Sequence, residues 1–336
     1  MKRGISISRR DFLKLAGAGV AAAIFPAKTV SADTLFFGRP TTPVTVYEGP
    51  TWKSRQVGRK KFDEVVEVIG QSEGEGIYPH NNIWFQIAEG WVYSSFIQPC
   101  QWVINAPLVD VGAGKWGEVS IPIAHGASSP GGLGVTKLYY SEIHRVRWAQ
   151  ADAAGKIWYG LTNDDGATPF RWVPGEHVRI IGPEELTPIS PDVTDKLIVV
   201  DRPAQVVTAF ESGSPVYSAR TSTGKRWPSG DYFTPPGEFL GVEKRMSKYM
   251  TGGAGSDRYG VTGVGFVFYF TGTKAATHST YWHNNFGTPM SHGCVNLRPD
   301  DSKWIWRWTH PVIGYDTIAA YRSNDPNALW TRVKVI

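Results

Sequence analysis

Short runs of alternating apolar residues, cut by Gly and Pro, recur along almost the whole of this chain. "PVTVYEGP" (Pro43–Pro50), "FDEVVEVIGQ" (Phe62–Gln71) and "IWFQIAEGWVYSSFIQP" (Ile83–Pro99) are typical. A period of two with frequent turn residues builds strands rather than helices. Composition agrees, since Gly 37 and Pro 23 supply turns while Trp 14 and Tyr 14 suit a pleated surface. The expected fold class is mainly β. At 336 residues, 41% hydrophobic and 19% charged, the chain is globular and long enough for two or three cores.

The N-terminus departs from this pattern. Arg9 and Arg10 precede Phe12, Leu13 and Lys14, then a mild apolar run to Phe25 and the small residues Val30, Ser31 and Ala32. Charged start, short apolar middle and small-residue end are the parts of an export signal. "SRRDFLK" resembles a twin-arginine signal, whose route carries proteins out already folded. Cleavage after Ala32 is expected, which sets residues 1–32 apart from the fold. A retained anchor is the alternative, although the apolar run is short for a membrane span.

Three β segments follow. Residues 33–100 read as a small β module similar to bacterial SH3-like domains, closed by "GWVYSSFI". Residues 101–134, with "GAGKWGE" and "HGASSPGGLG", read as linker or long loop. Residues 135–190 echo the first module, "IWYGL" against "IWFQI", and read as a second SH3-like module. Pro183, Pro188 and Pro191 mark a boundary. Residues 195–336 form the last domain, whose only convincing helix candidate is "RPDDSKWIWRWTHP". There Pro299 suits the first turn, Asp300 and Asp301 the positive end, and Pro311 the stop.

The chemistry concentrates in "ATHSTYWHNNFGTPMSHGCVNL" (Ala276–Leu297), which holds three histidines and one of only two cysteines. Cys294 follows Gly293, and His292 stands two residues before it. A thiol attacks only as thiolate, and a neighbouring histidine can supply that ionisation. A cysteine that merely fills a core needs neither the glycine nor the histidine. Gly293 permits the sharp turn that exposes a nucleophile and aims amides at an oxyanion. In a strand, His292 and Cys294 would share a face, side by side. His278, on the preceding strand, would come across from Cys294 if "NNFGTP" turned a hairpin. Zinc held by three His and one Cys is a rival, but no further ligand completes a familiar spacing. A Cys100–Cys294 disulfide is another, and it would silence the thiol. The net charge of +5 is scattered without a basic stripe, which favours an anionic cell-wall polymer or plain solubility over nucleic acid.

"THS" followed by "SHGCVNL", after "STG", "TPPGEF" and a "YF" strand, resembles the YkuD-type L,D-transpeptidase catalytic domain over about residues 195–336. The resemblance implies a β-sandwich. It implies Cys294 as nucleophile, His278 as general base and acid, and Ser279 as the residue whose carbonyl orients His278. Ser291, His292 and Gly293 would shape the oxyanion and substrate site, with Asn296 and Tyr269 on its substrate side. Asn296 fills a position where many members carry Arg. His283 is additional, a pocket-wall or loop residue.

The implied reaction is peptidoglycan 3→3 cross-linking through a cysteine thioester, with stem peptides as substrates and no metal or other cofactor. Carbapenem-type β-lactams would be covalent inhibitors. The implied setting is extracytoplasmic and wall-associated, as a monomer with no nucleic-acid partner. Water as acceptor would make the same site an L,D-carboxypeptidase, and a wall-binding protein with a non-productive Cys domain is a further alternative. Papain-like and NlpC/P60 peptidases place Cys before His, the reverse of this order, and a sortase requires a different Cys context with a downstream Arg.

Overall fold

The computed structural model describes residues 34–163, 166, 168–272 and 275–336. The export signal expected in residues 1–32 lies outside the described residues. Strands dominate, as the alternating pattern predicts.

The first module packs a five-stranded sheet against a three-stranded one. The larger runs in the order Gln56–Lys60, Val44–Tyr47, Gly90–Tyr93, Asn81–Ile87, Gly70–Tyr78. The smaller runs Val66–Val68, Phe36–Pro40, Ile97–Cys100. Inward residues such as Val46, Val68, Phe85, Val92 and Ile97 form its core.

The second module begins earlier than its sequence suggests. Its five-stranded sheet runs Arg171–Pro174, Ile157–Thr162, Ile143–Ala151, Lys115–Val119, Val178–Ile181. Lys115–Val119 and Ile123–Gly126 are strands, and both fall inside the segment 101–134 expected to be linker. Gly117 explains the discrepancy. A Cβ there would stand 2.6 Å from Val178 Cγ1 and 2.7 Å from Val146 Cγ2. The glycine marks a crowded strand interior, not a turn.

The C-terminal domain is a sandwich of two five-stranded sheets. One runs Ser214–Arg220, Val206–Glu211, Lys196–Asp201, Arg332–Val335, Gly237–Leu240; the other runs Val295–Leu297, Ala276–Ser279, Tyr259–Tyr269, Glu243–Gly252, Ala319–Tyr321. Their inner faces meet through Ile198, Val200, Val207 and Val333 on one side and Phe268, Val295 and Leu297 on the other. The helix Pro299–Trp308 adds Ile305 and Trp308 to this core. It starts at Pro299, with Asp300 and Asp301 in its first turn. Two buried lysines satisfy carbonyls at and beyond its other end. Lys196 Nζ donates to Trp308 O at 2.7 Å, and Lys244 Nζ donates to Thr309 O at 2.6 Å.

The two modules join this domain differently. Trp116, Ile143 and Ile181 of the second share a core cluster with Met246, Phe266 and Trp306. The apolar clusters of the first contain only its own residues. Its contacts to the C-terminal domain include polar ones, and several fall on the segment between His278 and Cys294.

Candidate active site

His278 and Cys294 lie on neighbouring strands that run parallel. Thr277 pairs with Val295, His278 with Asn296 and Ser279 with Leu297. This corrects the hairpin expected through "NNFGTP", which would have made the strands antiparallel. Parallel neighbours require a crossover of a dozen or more residues, and residues 280–294 supply it. Cys294 therefore enters its strand level with the start of the Ala276–Ser279 strand.

His278 is 2% exposed, and its Nδ1 lies 2.8 Å from Ser279 O. A carbonyl only accepts, so the proton sits on Nδ1 and the lone pair of the neutral ring sits on Nε2. Burial lowers the His278 pKa to about 4, against a smaller raising effect of the Ser279 carbonyl. The ring is neutral near pH 7 in the one tautomer that leaves Nε2 able to take a proton. Trp282 packs against it with ring centroids 5.7 Å apart.

The Cys294 thiol is half-buried and in no disulfide. Burial pushes it up to about 11, with a smaller lowering contact from the Ala276 backbone. It packs on a cluster of Met250, Val264, Val267, Tyr269 and Ala276, with Tyr259 and Trp282 beside it. The turn before it is tightly bonded. Ser291 Oγ donates to Cys294 O at 2.6 Å and accepts from the Gly293 amide at 3.1 Å. Gly293 adopts φ of +111°, a conformation that strains any residue with a side chain. Its amide is thus engaged by Ser291. Thr234 Oγ1 donates to its carbonyl at 3.0 Å.

His292 has surroundings of its own. Its Nε2 lies 3.1 Å from Asp257 Oδ2, so this nitrogen carries a proton. Trp227 stacks on the ring at 4.5 Å, with Tyr232 at 4.7 Å and Tyr259 at 4.9 Å. Ser229 Oγ also donates to Asp257 Oδ2, at 2.5 Å. The hydrogen bond from Ser229, followed by that from His292, holds the Asp257 carboxyl below its ordinary range. Burial, and then the nearby Cys294, push the Tyr259 hydroxyl up to about 12.

The three histidines do not converge on one point: His278 bonds Ser279, His283 bonds Asn296 and His292 bonds Asp257. Cys100 is buried in the first module, its thiol pushed up to about 12 by burial.

Two residues expected on the substrate side are buried. Asn296 is 1% exposed, with its amide nitrogen 2.9 Å from His283 Nε2 and its backbone paired to Ser222. It joins His283 and the Ser222 segment to the Val295–Leu297 strand and is buried. Tyr269 is buried in the cluster that supports Cys294, where it pairs with Ala276. Sequence reasoning missed Asp257, Trp227, Tyr232, Tyr259 and Trp282. Only Trp282, four residues after His278, carried a signal in its proximity.

The β-sandwich thus sets a tautomer-locked imidazole on one strand and a cysteine at the entry to its parallel neighbour, an arrangement suited to cysteine-based acyl transfer. Residues 195–334 match the L,D-transpeptidase catalytic domain family, YkuD. Residues 6–26 match a twin-arginine translocation signal sequence. Residues 195–334 are thus similar to an L,D-transpeptidase catalytic domain, and the signal ahead of them supports export.

Among solved structures, the chain is similar to an avibactam carbamoyl form of the enzyme Ldtfm, at 22% identity and a TM-score of 0.32. That likeness covers 42% of this chain and 49% of that one, so it spans about half of that protein's length. It is also similar to an LD transpeptidase, LdtMt1, in complex with imipenem. The identity is 16%, the coverage 81% of this chain and 99% of that one, and the TM-score 0.33. An L,D-transpeptidase from Mycobacterium smegmatis is 17% identical over 81% of this chain and 99% of that one, with a TM-score of 0.33. No curated protein matches the chain.

Proposed function

We propose that this protein forms 3→3 cross-links in peptidoglycan through a thioester on Cys294. The observation that carries the reading is the hydrogen bond from His278 Nδ1 to Ser279 O, on a strand paired in parallel with the one Cys294 enters. It leaves the Nε2 lone pair as the proton acceptor of a neutral ring.

In this mechanism Cys294 Sγ attacks the carbonyl of the penultimate stem residue as its proton moves to His278 Nε2. The bond to terminal D-Ala breaks, and the departing amine takes the proton back from Nε2. A thioester remains. The side-chain amine of a second stem then attacks, gives its proton to Nε2, and releases Cys294, which recovers that proton. No net proton is gained or lost. Tyr259 stays protonated beside the thiol and is a candidate donor to the tetrahedral oxyanion. The His292–Asp257 pair holds the turn that presents Cys294. Imipenem, which a structurally similar protein binds, is a natural covalent probe.

The test is intact-mass analysis with imipenem, followed by incubation with purified disaccharide-tetrapeptides. We expect one adduct on the wild-type chain, none on Cys294→Ala, and 3→3 dimers from the wild type alone. Dimers made by Cys294→Ala would end the proposal. Release of D-Ala without dimers would identify water as the acceptor instead.

A further inference from the structure

We infer that the first β module is a positioning element of the catalytic centre, which grips the His278–Cys294 crossover at three points, with Arg39 as the positioning residue at the base end. This rests on the reading above that His278 and Cys294 are the reacting pair.

The crossover needs holding. Residues 280–294 lack helix and extended strand, and the two strands they join are paired over only three residues each. The relative placement of base and nucleophile therefore depends on what packs against this segment.

The first grip is Arg39. It is 1% exposed, and Nη2 donates to Tyr281 O at 2.6 Å, three residues beyond His278. Its other donors are fixed within the module, Nε on Gln98 Oε1 at 2.8 Å and Nη1 on Asp63 Oδ1 at 2.8 Å. The guanidinium lies 4.2 Å over the Tyr139 ring, which itself stacks on Tyr281 at 5.8 Å. Tyr281 meets Trp282 edge-on at 5.1 Å, and Trp282 packs on His278. A continuous path of packed groups thus runs from Arg39 to the base. A buried guanidinium needs each of its acceptors, so it pins the Tyr281 carbonyl as firmly as Asp63 pins Arg39.

The second and third grips lie further along. Asn284 Nδ2 donates to Ser94 O at 2.9 Å. His80 Nε2 lies 2.8 Å from Asn285 Oδ1, with Tyr78 stacked on the His80 ring at 5.5 Å. Gly287, at φ +112°, lets the chain pass this histidine, because a Cβ there would stand 2.8 Å from His80 Cδ2. The module shares no apolar cluster with the catalytic domain among the described residues. Its side-chain bonds to that domain include those to residues 281–285 and one in which Arg220 donates to the His80 carbonyl. An interface serving only to join domains would have no reason to concentrate there.

The experiment uses the full chain and two variants, Arg39→Gln and the milder pair His80→Ala/Asn284→Ala, whose side chains are half-buried. Amide hydrogen exchange reports the crossover, and imipenem acylation with cross-linking kinetics reports the site. Both variants should speed exchange across 280–294 about tenfold, leave exchange in the 196–220 sheet unchanged, and slow acylation about 10- to 100-fold. The cross-linking kcat should fall while KM for the donor stem changes by less than about twofold. Unchanged exchange in 280–294, or a loosened crossover with acylation at the wild-type rate, overturns the inference. So does equal loss of protection in the 196–220 sheet, which would mean a general stability role. If Arg39→Gln misfolds, the double variant decides on the same readouts. A wild-type chain that imipenem cannot acylate sinks the proposed function, whereas exchange in the crossover still tests the grip.

Discussion

The imidazole of His292 is tied to the carboxylate of Asp257, with Nε2 3.1 Å from Oδ2. The pair sits in a box of Trp227, Tyr232 and Tyr259, and two residues later the chain reaches Cys294. The site thus has two histidines with opposite attachments. His278 hands Nδ1 to a backbone carbonyl, and His292 hands Nε2 to a carboxylate. Only the first leaves Nε2 open on the ring argued to be the base.

His292 and Asp257 should behave as one unit. His292→Ala and Asp257→Ala should each slow cross-linking by about 10- to 100-fold, since each loosens the turn that aims the reacting groups. The double variant should be no slower than the worse single one, because both remove the same interaction. Additive losses in steady-state kinetics would show that the two side chains act separately.

Acid should destabilise the fold through buried histidines. Burial lowers His278 to about 4 and His283 to about 3, from an ordinary 6.5. Between those values and 6.5 the unfolded chain binds protons that the native chain refuses. The stabilisation is therefore complete above pH 6.5 and is lost as pH falls towards 4 and then 3. Each histidine contributes at most about 1.4 kcal/mol per pH unit within its window. Urea melts from pH 7.5 to 4 should show stability falling with acid. His283→Gln, which keeps an acceptor for Asn296, should reduce that slope by about one proton. A slope identical to wild type would contradict the burial of His283.

Much of this arrangement is legible in sequence because it is local. The His278–Ser279 carbonyl bond joins adjacent residues, the Gly293 turn is announced by its glycine, and the helix at Pro299 carries its own start signals. The strands 115–119 and 123–126 were hidden because glycine reads as a loop residue. Gly117 is there because Val146 and Val178, distant in sequence, occupy its side-chain space. The direction of the Val295–Leu297 strand was hidden for the same reason. The segment 280–294 makes contacts to Arg39, His80 and Ser94, about two hundred residues away, which no local pattern announces. Asp257 stood in a Gly-rich stretch with no periodicity to single it out.

Cys100 should be chemically silent. Its Sγ donates to Gln98 O at 3.4 Å inside the first module, and burial pushes its thiol up to about 12. Iodoacetamide should add once to the folded chain and twice to the unfolded one. Cys100→Ser, which keeps a donor for that carbonyl, should cross-link within about twofold of wild type. Two rapid adducts on folded protein would show that Cys100 is accessible.

The resting protonation of Cys294 and His278 can be tested directly. Cysteine–histidine sites often rest as thiolate and imidazolium, with alkylation reaching a plateau at low pH. Here burial moves both groups the other way, Cys294 up to about 11 and His278 down to about 4. Desolvation penalises either charge, so the pair rests as thiol and neutral imidazole. The thiolate then forms only as the proton crosses to Nε2 during attack. Iodoacetamide, which offers no carbonyl to attack, should alkylate Cys294 at a rate that keeps rising from pH 6 to 10. Carbapenem acylation should instead turn on as His278 loses its proton, far below the thiol's own ionisation. His278→Ala should abolish acylation and leave the alkylation profile nearly unchanged, whereas His292→Ala should slow acylation with the same onset. An alkylation plateau already present at pH 6 in the wild type, lost in His278→Ala, would show a resting ion pair and overturn the neutral pair.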